Sequence, residues 1–248
     1  MSETSSAETV ALVTSGTFGL GAEIVGSLDG AGVRVAVGVT PRLGTTGKTP
    51  PGAASTHQGL LTAPADCERV VKEVVEQHGR LDILVNVAVR RGLSVDCPVE
   101  RCDATQWDQT LAAYLSGPFY LIRAALPQML AQGAGRIVTV IPLDGGAGSV
   151  GQAPTGVASA GIVALTQRLA REVADRGVTV NAVVAGLIGD GWLFDDMPAA
   201  LAEQIKTTVP AGRLAHPSEV ARVVSFLCAP DAGYVTGQVV AADGGFRA

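Results

Sequence analysis

A glycine-rich turn between a strand and a helix carries the clearest chemical signal in the sequence. The stretch Thr9–Thr14 (TVALVT) has the composition of a buried strand, the turn SGTFGLG follows, and Ala22–Leu28 has a helical pattern. This layout can hold a dinucleotide, because glycines let the backbone approach the pyrophosphate at the helix N-terminus. Tight packing of a helix on a sheet also requires small residues, so the turn alone is weak support for a bound nucleotide. The candidate contacts are Thr14, Gly16, Gly19 and Gly21.

Metal chemistry has little support in the sequence. Its four Cys form no CxxC pair and are accompanied by only three His, so we expect no metal site. Unpaired thiols are typical of a cytoplasmic protein, and this is the location that we expect.

Composition and charge argue against several classes of partner. Hydrophobic residues make up 47% of the 248 residues and charged residues 17%, as in a globular domain with a large core. The formal net charge of −5 gives no electrostatic reason to expect nucleic acid or an anionic membrane. No apolar run approaches the length of a membrane span. The polar start lacks the regions of a secretory signal, and residues 1–8 are expected to form a loose tail.

Strand-like and helix-like segments alternate along the rest of the chain, which predicts an α/β domain over residues 9–248. The predicted strands after the first are Gly32–Gly38, Thr56–Leu61, Leu81–Asn86, Gly135–Ile141, Val178–Val184 and Val235–Gly245. The predicted helices after the first are Ala65–His78, Ala104–Leu130 with a kink at Pro118, Gln152–Glu172 and Pro217–Ala229.

The passage LAREVADRGVTVNAV, which leads from the helix Gln152–Glu172 into the strand Val178–Val184, resembles the passage that follows the active site in the short-chain dehydrogenase/reductase family. The resemblance extends from about Thr9 to Gly245. It implies a single doubly wound Rossmann-type domain, with a mostly parallel seven-stranded sheet and helices on both faces. It also implies a flap at about 189–205 and a tetramer packed through the two long helices and the last strand.

The positions that carry the chemistry in that family hold other residues in this chain. Family members begin the helix with a Tyr, followed by a Lys four residues later, and the matching residues are Thr155 and Ser159. The position of the family's catalytic Ser is Pro142, and that of its Asn is Tyr114. A Thr hydroxyl is a far weaker acid than a Tyr phenol beside a Lys, so the family mechanism is not expected.

The family's cofactor contacts are also altered. The matching positions hold Ser15, Val39, Leu60, Val89 and Asp190, whereas Asn86 is kept and is expected to brace the backbone. The resemblance therefore suggests a vestigial nucleotide site made of Thr14, Gly16, Gly19, Gly21 and Asn86. We expect no tightly bound cofactor, with NAD or NADP held instead by a partner subunit.

The first interpretation is a non-catalytic subunit that pairs with an active homologous dehydrogenase in a hetero- or homotetramer. This pattern resembles the inactive partner in heteromeric CoA-thioester dehydrogenases. The loop with Arg90, Arg91 and Arg101 is either a solvated basic rim or a patch for a CoA-type ligand.

Two other interpretations remain open. One is a cofactor-independent lyase, isomerase or cyclase, in which a carboxylate and a phenol act as acid and base. Its candidates are Tyr114, Asp144 and Asp190, which also suit turn and packing roles. The other is an atypical NAD(P)H-dependent oxidoreductase with a different acid and a rebuilt cofactor site.

Overall fold

Seven parallel strands form one sheet. The computed structural model describes residues 8–41, 49–87, 98–143, 151–189, 203 and 206–247. Within them the strand order is β3-β2-β1-β4-β5-β6-β7. The strands are β1 Val10–Thr14, β2 Arg34–Val39, β3 Ala53–Gln58, β4 Ile83–Val87, β5 Gly135–Pro142, β6 Val178–Ala185 and β7 Val239–Ala242. This arrangement confirms the predicted Rossmann-type sheet.

Helices cover both faces of the sheet. They are α1 Gly19–Gly30, α2 Pro64–His78, α3 Ala104–Leu111, α4 Gly117–Gln132, α5 Ala153–Val173 and α6 Pro217–Cys228. Side chains of α1 and α6, such as Ile24 and Val224, pack with Val13 of β1 in one core. Side chains of α2, α4 and α5 pack with Leu12 in the other. Neighbouring residues of β1 thus point to opposite cores, as the alternation along a strand requires.

Several elements differ from their predicted boundaries. β3 begins and ends three residues earlier, because its buried residues are the polar Ser55 and His57. The predicted long helix is interrupted by a π-helical turn at Ala112–Ser116. Pro118 is the second residue of α4, directly after this turn, so the backbone N–H that the proline lacks falls where the π-helical pattern changes to the α-helical one. β7, at Val239–Ala242, is shorter than the predicted strand at both ends.

Some features of the predicted organisation stay predictions. The flap at 189–205 falls almost entirely outside the described residues, as does the tail apart from Glu8. Within the described residues, no helix is long and apolar enough to cross a membrane. In the same residues, no three or more His, Cys, Asp or Glu side chains form a group suited to a metal ion.

Candidate functional site

The candidate site lies where the carboxyl ends of the parallel strands meet, an edge that we call the carboxyl edge. β1 ends at Thr14, β2 at Val39, β4 at Val87 and β5 at Pro142. The strand order reverses direction between β1 and β4. Ligands of open α/β sheets bind in the crevice at such a reversal. The glycine-rich turn follows β1 directly and therefore borders this crevice.

The glycine-rich turn folds tightly against the start of α1. Ser15 has a φ of 54°, and its N–H donates to the carbonyl of Gly38 at 2.9 Å. A Cβ added to Gly21 would lie 2.1 Å from the Ser15 carbonyl oxygen, so only glycine fits there. The sequence predicted Gly21 as a contact for a dinucleotide, and that role stays a prediction.

The start of α1 has features of an anion site. Phe18 occupies the N-cap position and makes no side-chain hydrogen bond to the helix. The Oγ1 atom of Thr17 is buried within the turn and has no hydrogen-bond partner. Unsatisfied groups at a helix N-terminus are suited to a phosphate. Sequence reasoning missed Thr17, although a hydroxyl residue inside a glycine-rich turn was a usable signal.

Asn86 joins β4 to β5 inside the sheet. It is 1% exposed, and its Nδ2 donates to Thr139 Oγ1 at 3.4 Å. Its Oδ1 is buried without a partner. The contact that the structure describes is therefore to a side chain, whereas the sequence predicted a contact to the backbone.

The positions of the family's catalytic residues lie on neighbouring elements. Pro142 pairs with Ala185 at the ends of β5 and β6, and Thr155 and Ser159 lie near the start of α5. Ser159 is 1% exposed, and its hydroxyl has no partner. The structure thus contains a buried, unsatisfied hydroxyl beside the carboxyl ends of these strands.

Tyr114 lies in the π-helical turn, which packs against α5 and is followed by α4. The contact is close, because a Cβ added to Gly161 of α5 would lie 2.8 Å from Leu115 Cδ1. Tyr114 itself is buried, with 9% of its surface exposed. The phenol therefore belongs to the segment that faces the helix of Thr155 and Ser159.

Known proteins share this architecture and sequence. A family model described as enoyl-(acyl carrier protein) reductase matches residues 16–247. The 3-oxoacyl-(acyl carrier protein) reductase FabG of Vibrio cholerae is 36% identical, with 95% of this chain and 96% of that protein covered. The acetoacetyl-CoA reductase of Shinella zoogloeoides is 34% identical, with 95% and 97% covered. The chain belongs to the short-chain dehydrogenase/reductase family.

A solved structure of the same family has nearly the same fold. A variant of actinorhodin polyketide ketoreductase with NADPH superimposes with a TM-score of 0.87. It is 32% identical and covers 96% of this chain and 97% of its own.

These relatives correct the first interpretation of the sequence. The predicted non-catalytic subunit is wrong, because proteins that match 95% of the chain are named as reductases. An active homologous subunit is therefore no longer expected as an obligatory partner of this chain. The same names give no support to a cofactor-independent lyase, isomerase or cyclase.

Several predicted site residues lie outside the described residues: Val89, Arg90, Arg91, Asp144 and Asp190. Leu60 is described, and it is 45% exposed, so its side chain does not fill a buried nucleotide pocket. Arg101 is exposed and lies 3.8 Å from the carboxylate of Glu100. A solvated charge is the ordinary state of such a residue.

Proposed function

We propose that this family member is an NADPH-dependent reductase that converts a 3-oxoacyl thioester into the 3-hydroxyacyl thioester. The observation that carries the proposal is the glycine-rich turn, which packs tightly at Gly21 and leaves the N-terminus of α1 without a side-chain cap, an arrangement suited to a phosphate. The related reductases are named for 3-oxoacyl and acetoacetyl thioesters. The structural neighbour is named with NADPH. This proposal replaces the expectation that no cofactor binds tightly to this chain.

The residues at the carboxyl edge fit a dinucleotide. The turn residues Thr17 and Gly19 would hold the pyrophosphate together with the first N–H groups of α1. The end of β2 is Val39 followed by Thr40, and neither side chain is the acid that binds the ribose hydroxyls of NAD. We therefore propose a preference for NADPH over NADH. When bound, NADPH supplies the hydride for the carbonyl carbon.

Tyr114 is the proposed proton donor. Pro142 has no hydroxyl, and the hydroxyls of Thr155 and Ser159 are too weakly acidic to give up a proton near neutral pH. A phenol titrates near pH 10 and is the usual neutral acid for an alkoxide. Of the three Tyr in the sequence, Tyr234 is fully exposed and only Tyr114 lies in the turn against α5. The hydroxyl of Thr155 would hydrogen-bond the substrate carbonyl oxygen.

A homo-oligomer is proposed as the working state. Large apolar side chains are exposed on α3, α4, α5 and α6 and after α6, namely Trp107, Phe119, Val157, Phe226 and Tyr234. Exposed apolar groups on several neighbouring elements suit an interface between subunits. Light scattering of the purified chain is expected to give the mass of a tetramer. A cytoplasmic location stays a prediction.

Turnover by the purified chain tests the proposed activity. Acetoacetyl-CoA is offered with NADPH or NADH, and cofactor fluorescence is followed over time. We expect cofactor consumption with NADPH, slower consumption with NADH, and a 3-hydroxyacyl product by mass spectrometry. Absence of both turnover and NADPH binding, in a sample with a cooperative thermal transition, would overturn the proposal.

A further inference from the structure

A cleft lies at the edge of the sheet where the parallel strands begin, opposite the carboxyl edge. We call it the amino-edge cleft. Its volume is about 360 Å³, which falls within the range of small-molecule sites. The end of α1, the starts of β4 and β5 and the end of α6 line it, with apolar side chains that include Leu28, Val33, Ile83 and Cys228. The proposed reaction does not use this cleft.

The inner wall of the cleft belongs to the packed core of the protein. Leu28, Ile83 and Cys228 are at most 5% exposed and lie in the core between the sheet and helices α1 and α6. Burial raises the pKa of the Cys228 thiol to about 12, so this side chain is neutral at physiological pH. The wall therefore offers a ligand fixed apolar contacts and no anion.

One ion pair in the cleft is already closed. Arg80 Nε donates to Asp82 Oδ2 at 2.8 Å, and Arg80 Nη2 donates to Asp82 Oδ1 at 2.6 Å. Asp82 Oδ2 also accepts the backbone N–H of Val10 at 2.9 Å. The guanidinium and the carboxylate thus form a bidentate pair, and their charges compensate each other.

Arg136 brings a second guanidinium to the cleft. It donates to the carbonyl of Gly135 at 3.0 Å and to the carbonyls of Ala229 and Pro230, both at 3.4 Å. It takes part in none of the ion pairs among the described residues. Carbonyl groups hold the guanidinium in place but do not neutralise it, so the charged side chains that line this part of the cleft sum to one positive charge.

The bonds of Arg136 leave donors for a ligand. A guanidinium has one N–H on Nε and two on each terminal nitrogen, and each of these nitrogens gives one hydrogen to a carbonyl. Each terminal nitrogen therefore keeps one N–H, and such a pair can bind both oxygens of a carboxylate. The carbonyls of Ala229 and Pro230 also accept the N–H groups of Ala232 and Gly233, at 3.2 and 3.3 Å. The end of α6 is thus capped without Arg136.

We propose that the amino-edge cleft binds an aliphatic monocarboxylate. The carboxylate would pair with Arg136, and the hydrocarbon chain would lie along the wall of Leu28, Val33 and Ile83. Inorganic phosphate would leave the apolar wall uncovered, and an aliphatic amine would meet the positive charge of Arg136. The inference does not depend on the proposed reductase activity, because the cleft and the glycine-rich turn lie at opposite edges of the sheet.

Calorimetric titration of the purified chain with octanoate tests the proposal. The wild-type chain is expected to bind octanoate with a Kd of about 1 mM or tighter. Octan-1-ol lacks the charge and acetate lacks the chain, so each is expected to bind at least about tenfold more weakly. Equal affinities for octanol and octanoate would overturn the pairing with Arg136. Absence of octanoate binding, in a sample with a cooperative thermal transition, would overturn the site.

Arg136→Gln removes the charge and keeps an amide that can donate to the carbonyls at the end of α6. This variant is expected to bind octanoate at least about tenfold more weakly and to bind octanol as wild type does. Arg222→Gln is the matched control, because Arg222 is exposed on α6 and does not line the cleft. It is expected to keep the wild-type affinity. Equal octanoate affinities in wild type and Arg136→Gln would overturn the proposal.

Ala134→Glu tests the cleft without changing the arginine. Ala134 is exposed and lines the cleft, so a carboxylate tethered there competes with octanoate for Arg136. The affinity for octanoate is expected to fall at least about tenfold, whereas Ala134→Gln, which has the same size and no charge, is expected to bind more tightly than Ala134→Glu. Equal affinities in these two variants would contradict the site.

Turnover separates this proposal from the proposed function. Arg136→Gln is expected to keep NADPH-dependent turnover of acetoacetyl-CoA within about twofold of wild type, since no transition-state contact is removed. A wild-type chain that binds NADPH but not octanoate would overturn the amino-edge site alone. One that binds octanoate but neither binds NADPH nor turns over would overturn the proposed function alone.

Discussion

The hydroxyl of Thr14 holds both backbone groups of Val87. Oγ1 accepts the Val87 N–H at 2.8 Å and donates to the Val87 carbonyl at 3.2 Å. β1 and β4 are the two strands between which the strand order reverses, so this pair fixes the floor of the candidate site. Val87 is also the last residue of β4, and it sets the position at which the chain leaves the sheet toward the crevice.

Thr14→Val is expected to destabilise the fold by about 2–4 kcal/mol, because it leaves two buried backbone groups without partners. The free energy of unfolding in urea measures the loss. Thr14→Ser keeps the hydroxyl and loses only a methyl group, so its cost is expected to stay near 1 kcal/mol. A valine variant as stable as the serine variant would show that the hydroxyl bonds contribute little.

Gly21→Ala is expected to weaken NADPH binding at least tenfold, a loss of about 1.4 kcal/mol or more. The added methyl group would meet the Ser15 carbonyl oxygen, with its carbon 2.1 Å away. The turn must then open, which disturbs the backbone that would surround the pyrophosphate. Fluorescence titration with NADPH measures the affinity.

Gly26→Ala is the matched control for that substitution. Gly26 lies in the same helix, and a Cβ added there meets no atom within 4 Å. Alanine favours a helix by about 0.5–1 kcal/mol relative to glycine, so the control is expected to be slightly more stable and to bind NADPH normally. Equal NADPH affinities in the Gly21→Ala and Gly26→Ala variants would mean that the tight turn does not form the nucleotide site, and the proposed function would lose its main support.

Hydrophobic periodicity and the glycine pattern were sufficient to predict most of the fold. The strands with apolar, buried side chains, such as Ile83–Val87, lie close to their predicted bounds. β3 is the exception, because its sequence AASTHQ has no apolar pattern. The apolar residues of the following GLL therefore placed the predicted strand too far along the chain. Its buried polar residues become intelligible only when α2 brings His78 and Glu73 to them.

The start of β6 shows why side chains can shorten a neighbouring strand, here β7. Val180 accepts from the N–H of Gly237 at 2.7 Å, but its own N–H donates to the Thr236 hydroxyl at 3.0 Å. Asn181 then accepts the N–H of Gln238 through Oδ1 at 3.0 Å. Side chains thus replace strand pairing before Val239, and a pattern of apolar residues does not contain this information.

Catalytic competence was the part that the sequence predicted wrongly. Pro142 and Thr155 do remove the one mechanism with which the sequence was compared, but another mechanism is compatible with the same fold. The glycine-rich turn was identified from the sequence, but its tight packing at Gly21 is visible only in the structure. A tight glycine-rich turn is compatible with a different proton donor, and the π-helical turn with Tyr114 could not be predicted from residue types.

Tyr114→Phe is expected to lower kcat by about 10²–10⁴-fold and to leave KM nearly unchanged, because the phenol would act only in the proton transfer. Steady-state kinetics with acetoacetyl-CoA and NADPH measure both constants. The phenylalanine ring keeps the packing of the buried side chain, so the thermal transition is expected to shift little.

Tyr120→Phe is the control for loss of a phenol. Tyr120 lies in α4 with its ring 5.7 Å from that of Phe119, outside the turn that packs on α5. Its variant is expected to keep kcat within about twofold, since no transition-state contact is removed. If both variants retained wild-type kcat, the proton would have to come from elsewhere, and Tyr114 would lose its proposed role.

A carboxyl group at the start of α6 makes the stability of the fold depend on pH. Glu219 closes a capping box with His216 and pairs with Arg213 at 2.7 Å. The guanidinium of Arg213 first, and then the backbone N–H of His216, lower the pKa of Glu219 from 4.5 to about 2. A carboxyl group with a lower pKa in the folded state stabilises the fold fully above its unfolded pKa. That contribution is lost as the pH falls from about 4.5 toward 2.

Glu219→Gln is therefore expected to unfold at a lower temperature than wild type near pH 6, and the difference is expected to shrink as the pH falls toward about 3. Calorimetric melting at several pH values measures both curves. Glu23→Gln makes the same charge change on the exposed side of α1, outside any capping box, and is expected to give a small difference that varies less with pH. If the melting temperatures of Glu219→Gln and wild type differed by the same amount at every pH from 6 to 3, the charge of Glu219 would not contribute to stability through Arg213 or the cap. In that case the fixed geometry of residues 213–219 would have to come from packing of α6 on α1 alone.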